Sequence, residues 1–159
     1  MDIKIVYRTQ DFCLPETNDS EVCLKDLKGK WVIIYFYPRN NTKGCTREAI
    51  DFTNALAQFE SLRAIVLGIS PDSLSSHKRF TEKHSLKVRL LSDESKSVLK
   101  DYGVWQEKSM YGRRYFGVVR STVVIDPNGR IAALWEKVRV KEHVKAVLER
   151  LKELQAQSV

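Results

Sequence analysis

Residues 31–45, WVIIYFYPRNNTKGC, contain the pattern that decides the fold of this chain. The first seven residues, 31–37, are all apolar and mostly β-branched or aromatic, which predicts a strand buried on both faces of a sheet. Pro38 ends this strand, and residues 39–44 form a polar loop. A helical pattern starts at Cys45. The sequence therefore predicts a strand–loop–helix unit with a cysteine at the start of the helix.

Strands and helices alternate along the rest of the chain. Two short apolar runs around a polar stretch, at 12–14 and 22–24, predict an N-terminal β-hairpin. The other predicted strands are 64–69, 88–91, 121–125 and 131–135, and the predicted helices are 45–62, 72–84, 95–102 and a C-terminal helix containing residues 144–154. Alternation implies parallel neighbours, whereas the turn at 126–129 adds an antiparallel pair. We expect an α/β fold, thioredoxin-like in outline, with a central mixed β-sheet flanked by helices on both faces.

Length and composition narrow the class of protein. The 159 residues suit a single domain spanning 1–159, and the content of 43% hydrophobic and 30% charged residues excludes a disordered chain. No apolar run approaches the roughly 20 residues of a membrane span, and the first residues lack a secretory signal. The net charge is +7, but basic and acidic residues are interleaved without a nucleic-acid motif. We expect a cytoplasmic protein that binds neither nucleic acid nor a membrane.

Cys45 is the candidate nucleophile. A helix N-terminus favours the thiolate, and the strand–loop–helix junction is where α/β proteins build their sites. The alternative is an inert cysteine of the core. Thioredoxins place C-x-x-C at this junction, whereas this chain has Thr42 in place of the first cysteine. Arg120, and not a proline, precedes the strand 121–125. Both differences remove dithiol chemistry and put polar or cationic groups around one sulfur.

The motif P-x-x-x-T-x-x-C, formed by Pro38, Thr42 and Cys45, is the signature of peroxiredoxins. The longer run YFYPRNNTKGCTREAIDF resembles the Q-type subfamily, the bacterioferritin comigratory proteins. Other blocks, including GISPDSLSSHKRFTEKHSLKVRLLSDES and MYGRRYFGVVRSTVVIDPNGRI, resemble the family in the same order, so the likeness covers nearly the whole chain. It implies a thioredoxin fold and a thiol-dependent peroxidase for hydrogen peroxide and organic hydroperoxides, with no cofactor and no metal.

The resemblance also implies roles for five residues. Cys45 is the peroxidatic cysteine, whose thiolate attacks the peroxide and becomes a sulfenic acid. Thr42 holds the peroxide and the sulfur, and Pro38 shields the site from water. Arg120 stabilises the thiolate and the charge on the leaving oxygen, while Glu48 orients an arginine. Taken alone, these residues also fit a helix cap, a strand end and surface charges.

Position 50 departs from the family pattern. Many Q-type members carry a resolving cysteine five residues after the peroxidatic one, but this chain has Ile50, and residues 72–84 contain no cysteine. We expect an external thiol reductant (thioredoxin, glutaredoxin or a small thiol), with resolution by Cys13 or Cys23 as the alternative. We expect these two cysteines to be reduced core residues. A structural disulfide across the hairpin and a redox role are the alternatives.

The sequence is also compatible with two other functions and two oligomeric states. A thiol–disulfide oxidoreductase is one alternative, although C-x-x-C is missing, and a peroxide-sensing relay protein is another. The resemblance favours a monomer, with a dimer as the alternative. The three histidines, at 77, 84 and 143, are too scattered for a metal site, and we expect structural roles for them.

Overall fold

The computed structural model describes residues 9–157. Its strands are β1 (Cys13–Pro15), β2 (Glu21–Cys23), β3 (Trp31–Phe36), β4 (Ala64–Ser70), β5 (Arg89–Ser92), β6 (Trp105–Met110), β7 (Arg113–Val118), β8 (Ser121–Ile125) and β9 (Ile131–Trp135). Its helices are α1 (Lys43–Ser61), α2 (Leu74–His84), α3 (Ser97–Asp101) and α4 (His143–Gln157), with a short 3₁₀ helix at Leu24–Leu27. Residues 1–8, on which the prediction about a secretory signal rests in part, lie outside this range. None of these helices is long and apolar enough to cross a membrane.

The central sheet has five strands in the order β5-β4-β3-β8-β9. Strand β3 runs parallel to β4, and β4 runs parallel to β5. On the other side, β8 is antiparallel to β3 and β9 is antiparallel to β8. The predicted mixed sheet is therefore confirmed, with β3 at its centre. The register pairs Phe36 with Ser121, so the residues just after β3 lie beside those just before β8.

Side chains of β3 enter two cores, one on each face of the sheet. Ile33 and Tyr35, together with Tyr37 directly after the strand, pack with residues of α1, α2 and α4. Val32, Ile34 and Phe36 pack with α3 and the N-terminal hairpin. The alternation follows from the two-residue period of a strand, and both sets are buried because helices cover both faces. The prediction of a strand buried on both faces is confirmed.

Strands β6 and β7 form a second hairpin that the sequence analysis did not predict. Tyr111 and Gly112 make its turn, both with positive φ (52° and 78°), which suits a tight two-residue connection. Most of the hairpin lies at the surface, and Tyr111 is 99% exposed. Its strands contribute little to the core, so they lack the apolar runs that mark β3, β4 and β8.

The expectation that Cys13 and Cys23 are reduced core residues is wrong. They form a disulfide across β1 and β2, where the register places them directly opposite each other. Strand alternation turns Leu14 and Val22 into the core, which leaves Cys13 exposed and Cys23 half-buried. The predicted hairpin is correct, but its cysteines lie on the outer face.

Candidate active site

Cys45 lies in the first turn of α1, at the carboxyl end of β3. The helix begins two residues earlier than predicted, and the bond from Thr46 N–H to the Thr42 carbonyl measures 2.9 Å. Backbone N–H groups before Thr46 have no partner within the helix, so the positive end of its dipole lies at the cysteine. Cys45 is a free thiol and only 1% exposed. The sulfur is therefore unpaired, lies at the positive end of the helix dipole and is shielded from solvent.

Arg120 joins this sulfur to a buried carboxylate. Its Nη2 donates to Cys45 Sγ at 3.0 Å, and its Nη1 donates to Glu48 Oε1 at 2.6 Å. The Arg120 side chain is 16% exposed, and that of Glu48 is fully buried. A guanidinium presents its donors in a rigid planar fork, so one partner orients the other donor. The carboxylate of Glu48 therefore fixes the direction in which Arg120 meets the sulfur.

Burial and charge set the ionisation of this pair. Burial raises the pKa of Glu48 to about 7, and the neighbouring Arg120 offsets only part of that effect. Burial by itself would lower the pKa of Arg120, but Glu48 and Cys45 outweigh it and the pKa is raised. Arg120 is therefore a permanent cation at the sulfur, whatever the state of Glu48 near neutral pH.

Thr42 and Pro38 lie on the loop that leads into α1. Thr42 occupies the N-cap position, but its side chain makes no capping bond and Oγ1 instead donates to the Arg39 carbonyl at 3.1 Å. The Thr42 side chain is exposed, and Pro38 is half-buried directly after Tyr37. Among residues 9–157 no hydrogen bond joins Thr42 to Cys45, so the peroxide-holding role of Thr42 stays a prediction.

Gly44 is a site residue that the sequence analysis did not single out. A Cβ at this position would lie 3.3 Å from Arg120 Nη2 and 3.8 Å from Val140 Cγ2. The guanidinium therefore lies almost against the backbone of α1, beside Cys45. The sequence signal that could have identified Gly44 is its position directly before the candidate cysteine, in the first turn of a helix.

We expect Gly44→Ala to slow peroxide reduction by about tenfold, because small misplacements of a catalytic group have effects of this size or larger. The new methyl pushes against Arg120, which Glu48 and Cys45 hold in place. Alanine is the better helix former by about 0.5–1 kcal/mol, so the melting temperature should not fall. Stopped-flow kinetics with hydrogen peroxide and a thermal melt measure both effects. An unchanged rate would show that Arg120 moves aside freely.

Lys108 supplies a second cation near the sulfur. Its Nζ donates to the Val118 carbonyl at 3.0 Å, two residues before Arg120. Burial lowers the pKa of Lys108, Arg120 lowers it further, and Cys45 acts in the opposite direction. Lys108 lies on β6, which the sequence analysis did not predict, so no local pattern pointed to it.

Arg47 and His143 form their bonds with groups other than the sulfur. Arg47 is an exposed partner of Asp51, at 3.0 Å within α1. His143 lies 2.8 Å from the Thr122 hydroxyl through Nε2, and burial, aided by Arg120, lowers its pKa to about 4. His143 is therefore neutral at ordinary pH, in agreement with the structural role expected for it.

Comparison with known proteins identifies the family. The model of the AhpC/TSA family matches residues 6–134. Peroxiredoxin Bcp of Bacillus subtilis is 41% identical over 154 residues, which are 97% of this chain and 98% of that protein. The chain belongs to the AhpC/TSA family, as a peroxiredoxin. It is thus a thiol-dependent peroxidase, a class that acts on hydroperoxides with thiol reductants.

Solved structures place this peroxiredoxin within the Q type. A variant of PrxQ from Xylella fastidiosa superposes with a TM-score of 0.90 at 34% identity, covering 98% of this chain and 99% of that one. The bacterioferritin comigratory protein of Xanthomonas campestris, described for its alkyl peroxide reduction activity, has a TM-score of 0.87 at 36% identity, with 95% and 96% covered. These matches confirm both the subfamily and the thioredoxin-like fold.

Proposed function

We propose that Cys45 is the peroxidatic cysteine of this peroxidase and that an external thiol reduces its oxidised form. The contact of 3.0 Å between Arg120 Nη2 and Cys45 Sγ carries the proposal. A cation aimed at a thiol in the first turn of a helix favours the thiolate, which is the attacking species. The cysteine is also shielded, at 1% exposure, which suits a group that reacts with a small oxidant.

In the first step the Cys45 thiolate attacks one oxygen of the hydroperoxide. The S–O bond forms as the O–O bond breaks, the sulfur loses two electrons, and the product is a sulfenic acid. The other oxygen leaves as hydroxide or alkoxide and takes a proton from water. Negative charge thus moves from sulfur to the leaving oxygen, and a donor already aimed at this place lowers the barrier. Arg120 is positioned for that role, and Glu48 keeps it oriented.

The substrate is hydrogen peroxide or an organic hydroperoxide whose reacting end is slender. Little room surrounds the sulfur, because Arg120, Gly44 and the start of α1 enclose it. The alkyl peroxide activity named for the Xanthomonas campestris relative supports organic hydroperoxides as substrates. Thr42 and Pro38, on the adjoining loop, hold and shield the peroxide in this proposal.

Resolution of the sulfenic acid is assigned to a thiol from outside the chain. The half-buried Ile50 occupies the position of the common resolving cysteine and packs against the core. Cys13 and Cys23 are already joined to each other. An external thiolate attacks the sulfur of the sulfenic acid, the S–S bond forms as the S–O bond breaks, and the departing hydroxide takes a proton from solvent. A second thiol then releases Cys45 from the mixed disulfide. Thioredoxin, glutaredoxin and small thiols all have the chemistry required.

Intact mass spectrometry after one equivalent of hydrogen peroxide tests this proposal. With dimedone present, we expect one adduct per chain, located on Cys45 by peptide mapping. Without dimedone, we expect one added oxygen and no disulfide to Cys45. A disulfide from Cys45 to Cys13 or Cys23 would overturn resolution by an external thiol. An adduct on another residue would overturn the peroxidatic role.

A further inference from the structure

The loop that carries the peroxiredoxin motif is anchored through one side chain. The loop before α1 comprises residues 38–42, all of which the structure describes. Among these five residues only Asn40 is buried, with 4% exposure. Pro38 is half-buried, and Arg39, Asn41 and Thr42 are exposed. Exposed side chains do little to fix a backbone, so the position of this loop depends on what Asn40 contacts.

Asn40 makes four hydrogen bonds, and they reach two other elements. Its backbone N–H donates to Asp72 Oδ2 at 2.9 Å, and its Oδ1 accepts from the Tyr37 hydroxyl at 2.7 Å. Its Nδ2 donates to His77 Nδ1 at 2.9 Å and to Ser76 Oγ at 3.1 Å. Ser76 and His77 lie in α2, and Asp72 lies just before it. The loop is thereby fastened to α2.

His77 accepts from Asn40 because of its tautomer. Nε2 of His77 lies 3.0 Å from the Leu91 carbonyl, which can only accept, so Nε2 carries the hydrogen. Nδ1 is then an acceptor for the Asn40 amide. Burial lowers the pKa of His77, although Asp72 acts against this, and the ring stays neutral. Only an amide at position 40 donates to His77 while it accepts from Tyr37.

We propose that Asn40 is a positioning residue for peroxide reduction, which holds the loop bearing Pro38 and Thr42 against α2 through its bonds to His77 and Asp72. The Thr42 hydroxyl donates to the carbonyl of Arg39, the neighbour of Asn40, so the anchored segment also orients that hydroxyl. The inference rests on the proposed function of Cys45.

Asn40→Asp tests the inference through its pH profile. At pH 8 the carboxylate faces the lone pair of His77 Nδ1, so the rate constant for hydrogen peroxide should fall about tenfold or more. At lower pH, protonated His77 donates to the carboxylate, and the ratio of variant to wild-type rate should rise towards one. The groups that face His77 are Asp72, the hydroxyls of Tyr37 and Ser70, the Leu91 carbonyl and position 40 itself. A ratio that stays flat with pH would overturn positioning through His77.

Asn40→Ala supplies a second readout that general destabilisation does not mimic. We expect slower reaction with hydrogen peroxide but faster alkylation of Cys45 by iodoacetamide, because a loosened loop uncovers the sulfur. Val98→Ala serves as the control, since it truncates a buried side chain of α3 in the other core. It should lower the melting temperature and leave both rates unchanged. Wild-type rates in both Asn40 variants would refute the inference.

Failure of the proposed function gives a separate signal. If wild-type protein and Cys45→Ser consumed peroxide equally, Cys45 would not be peroxidatic, whatever Asn40 does. If wild-type protein is active through Cys45 and Asn40 variants match it, only the positioning role fails.

Discussion

Cys45→Ser is expected to reduce peroxide consumption to the rate seen without enzyme. A serine hydroxyl stays protonated at neutral pH and is a far weaker nucleophile than a thiolate. Neither Arg120 nor the start of α1 compensates, because both stabilise charge and supply no electrons to the peroxide. Consumption of hydrogen peroxide in the presence of excess thiol measures the effect, and circular dichroism shows that the fold is retained.

A double variant, Cys13→Ser with Cys23→Ser, is the matched control for Cys45→Ser. It removes the disulfide on the outer face of the N-terminal hairpin and leaves the site intact. We expect the first oxidation of Cys45 to proceed at nearly the wild-type rate. The melting temperature should fall, since a disulfide closing a short loop contributes about 2–3 kcal/mol in the chain-entropy estimate. Turnover by Cys45→Ser at the wild-type rate would disprove the peroxidatic assignment.

Arg120→Met is expected to lower the second-order rate constant for hydrogen peroxide by about 100- to 1,000-fold, the range found when a preorganised oxyanion donor is removed. The change deletes the donor at Cys45 Sγ and the cation that favours the thiolate. Arg120→Lys should recover only part of the rate, because one ammonium cannot reproduce the planar fork that meets both Cys45 and Glu48. Stopped-flow kinetics at several pH values measure both variants.

Arg120→Met is also expected to lower the free energy of unfolding. Without Arg120, the buried Glu48 loses the cation that lowers its pKa and therefore takes up a proton near neutral pH. The buried carboxyl then lacks its hydrogen-bond donor, which we expect to lower the free energy of unfolding by about 1–3 kcal/mol. Adding Glu48→Gln replaces the carboxyl by an amide that cannot ionise, so the double variant should be more stable than Arg120→Met at alkaline pH, where an unpaired Glu48 would become charged. It should remain as slow as Arg120→Met. Arg130→Met, at an exposed arginine in the turn between β8 and β9, controls for charge and should react normally. Recovery of activity in the double variant would contradict a direct role for Arg120.

The sequence predicted the strand–loop–helix unit well because its signal is local. Residues 31–37 are apolar without a break, and the helical period starts within a few residues of Cys45. Only boundaries changed, and α1 began two residues early, which brought Cys45 fully into its first turn. The hairpin of β6 and β7 escaped prediction because its residues are mostly exposed, so burial imposes no apolar pattern on them.

The disulfide between Cys13 and Cys23 depends on structural features that the sequence pattern did not reveal. Cys13 and Cys23 each lie within a short apolar run, which favoured two buried thiols. Strand register and the direction of the pleat decided otherwise, since a shift of one residue would have moved both cysteines into the core. Sequence spacing alone carries no information on that choice.

The sequence by itself determined the family and supplied the signals on which the proposed chemistry rests: a cysteine at a helix start, the P-x-x-x-T-x-x-C motif, and isoleucine where a resolving cysteine is common. Tertiary structure decided which groups surround the sulfur. Arg120 is 75 positions from Cys45 along the chain, and it arrives because β8 pairs with β3 so that Ser121 lies opposite Phe36. Lys108 and the Asn40–His77 bond likewise join distant segments. Local patterns encode strands and helices, whereas contacts of this kind depend on sheet register and burial, which only the folded chain defines.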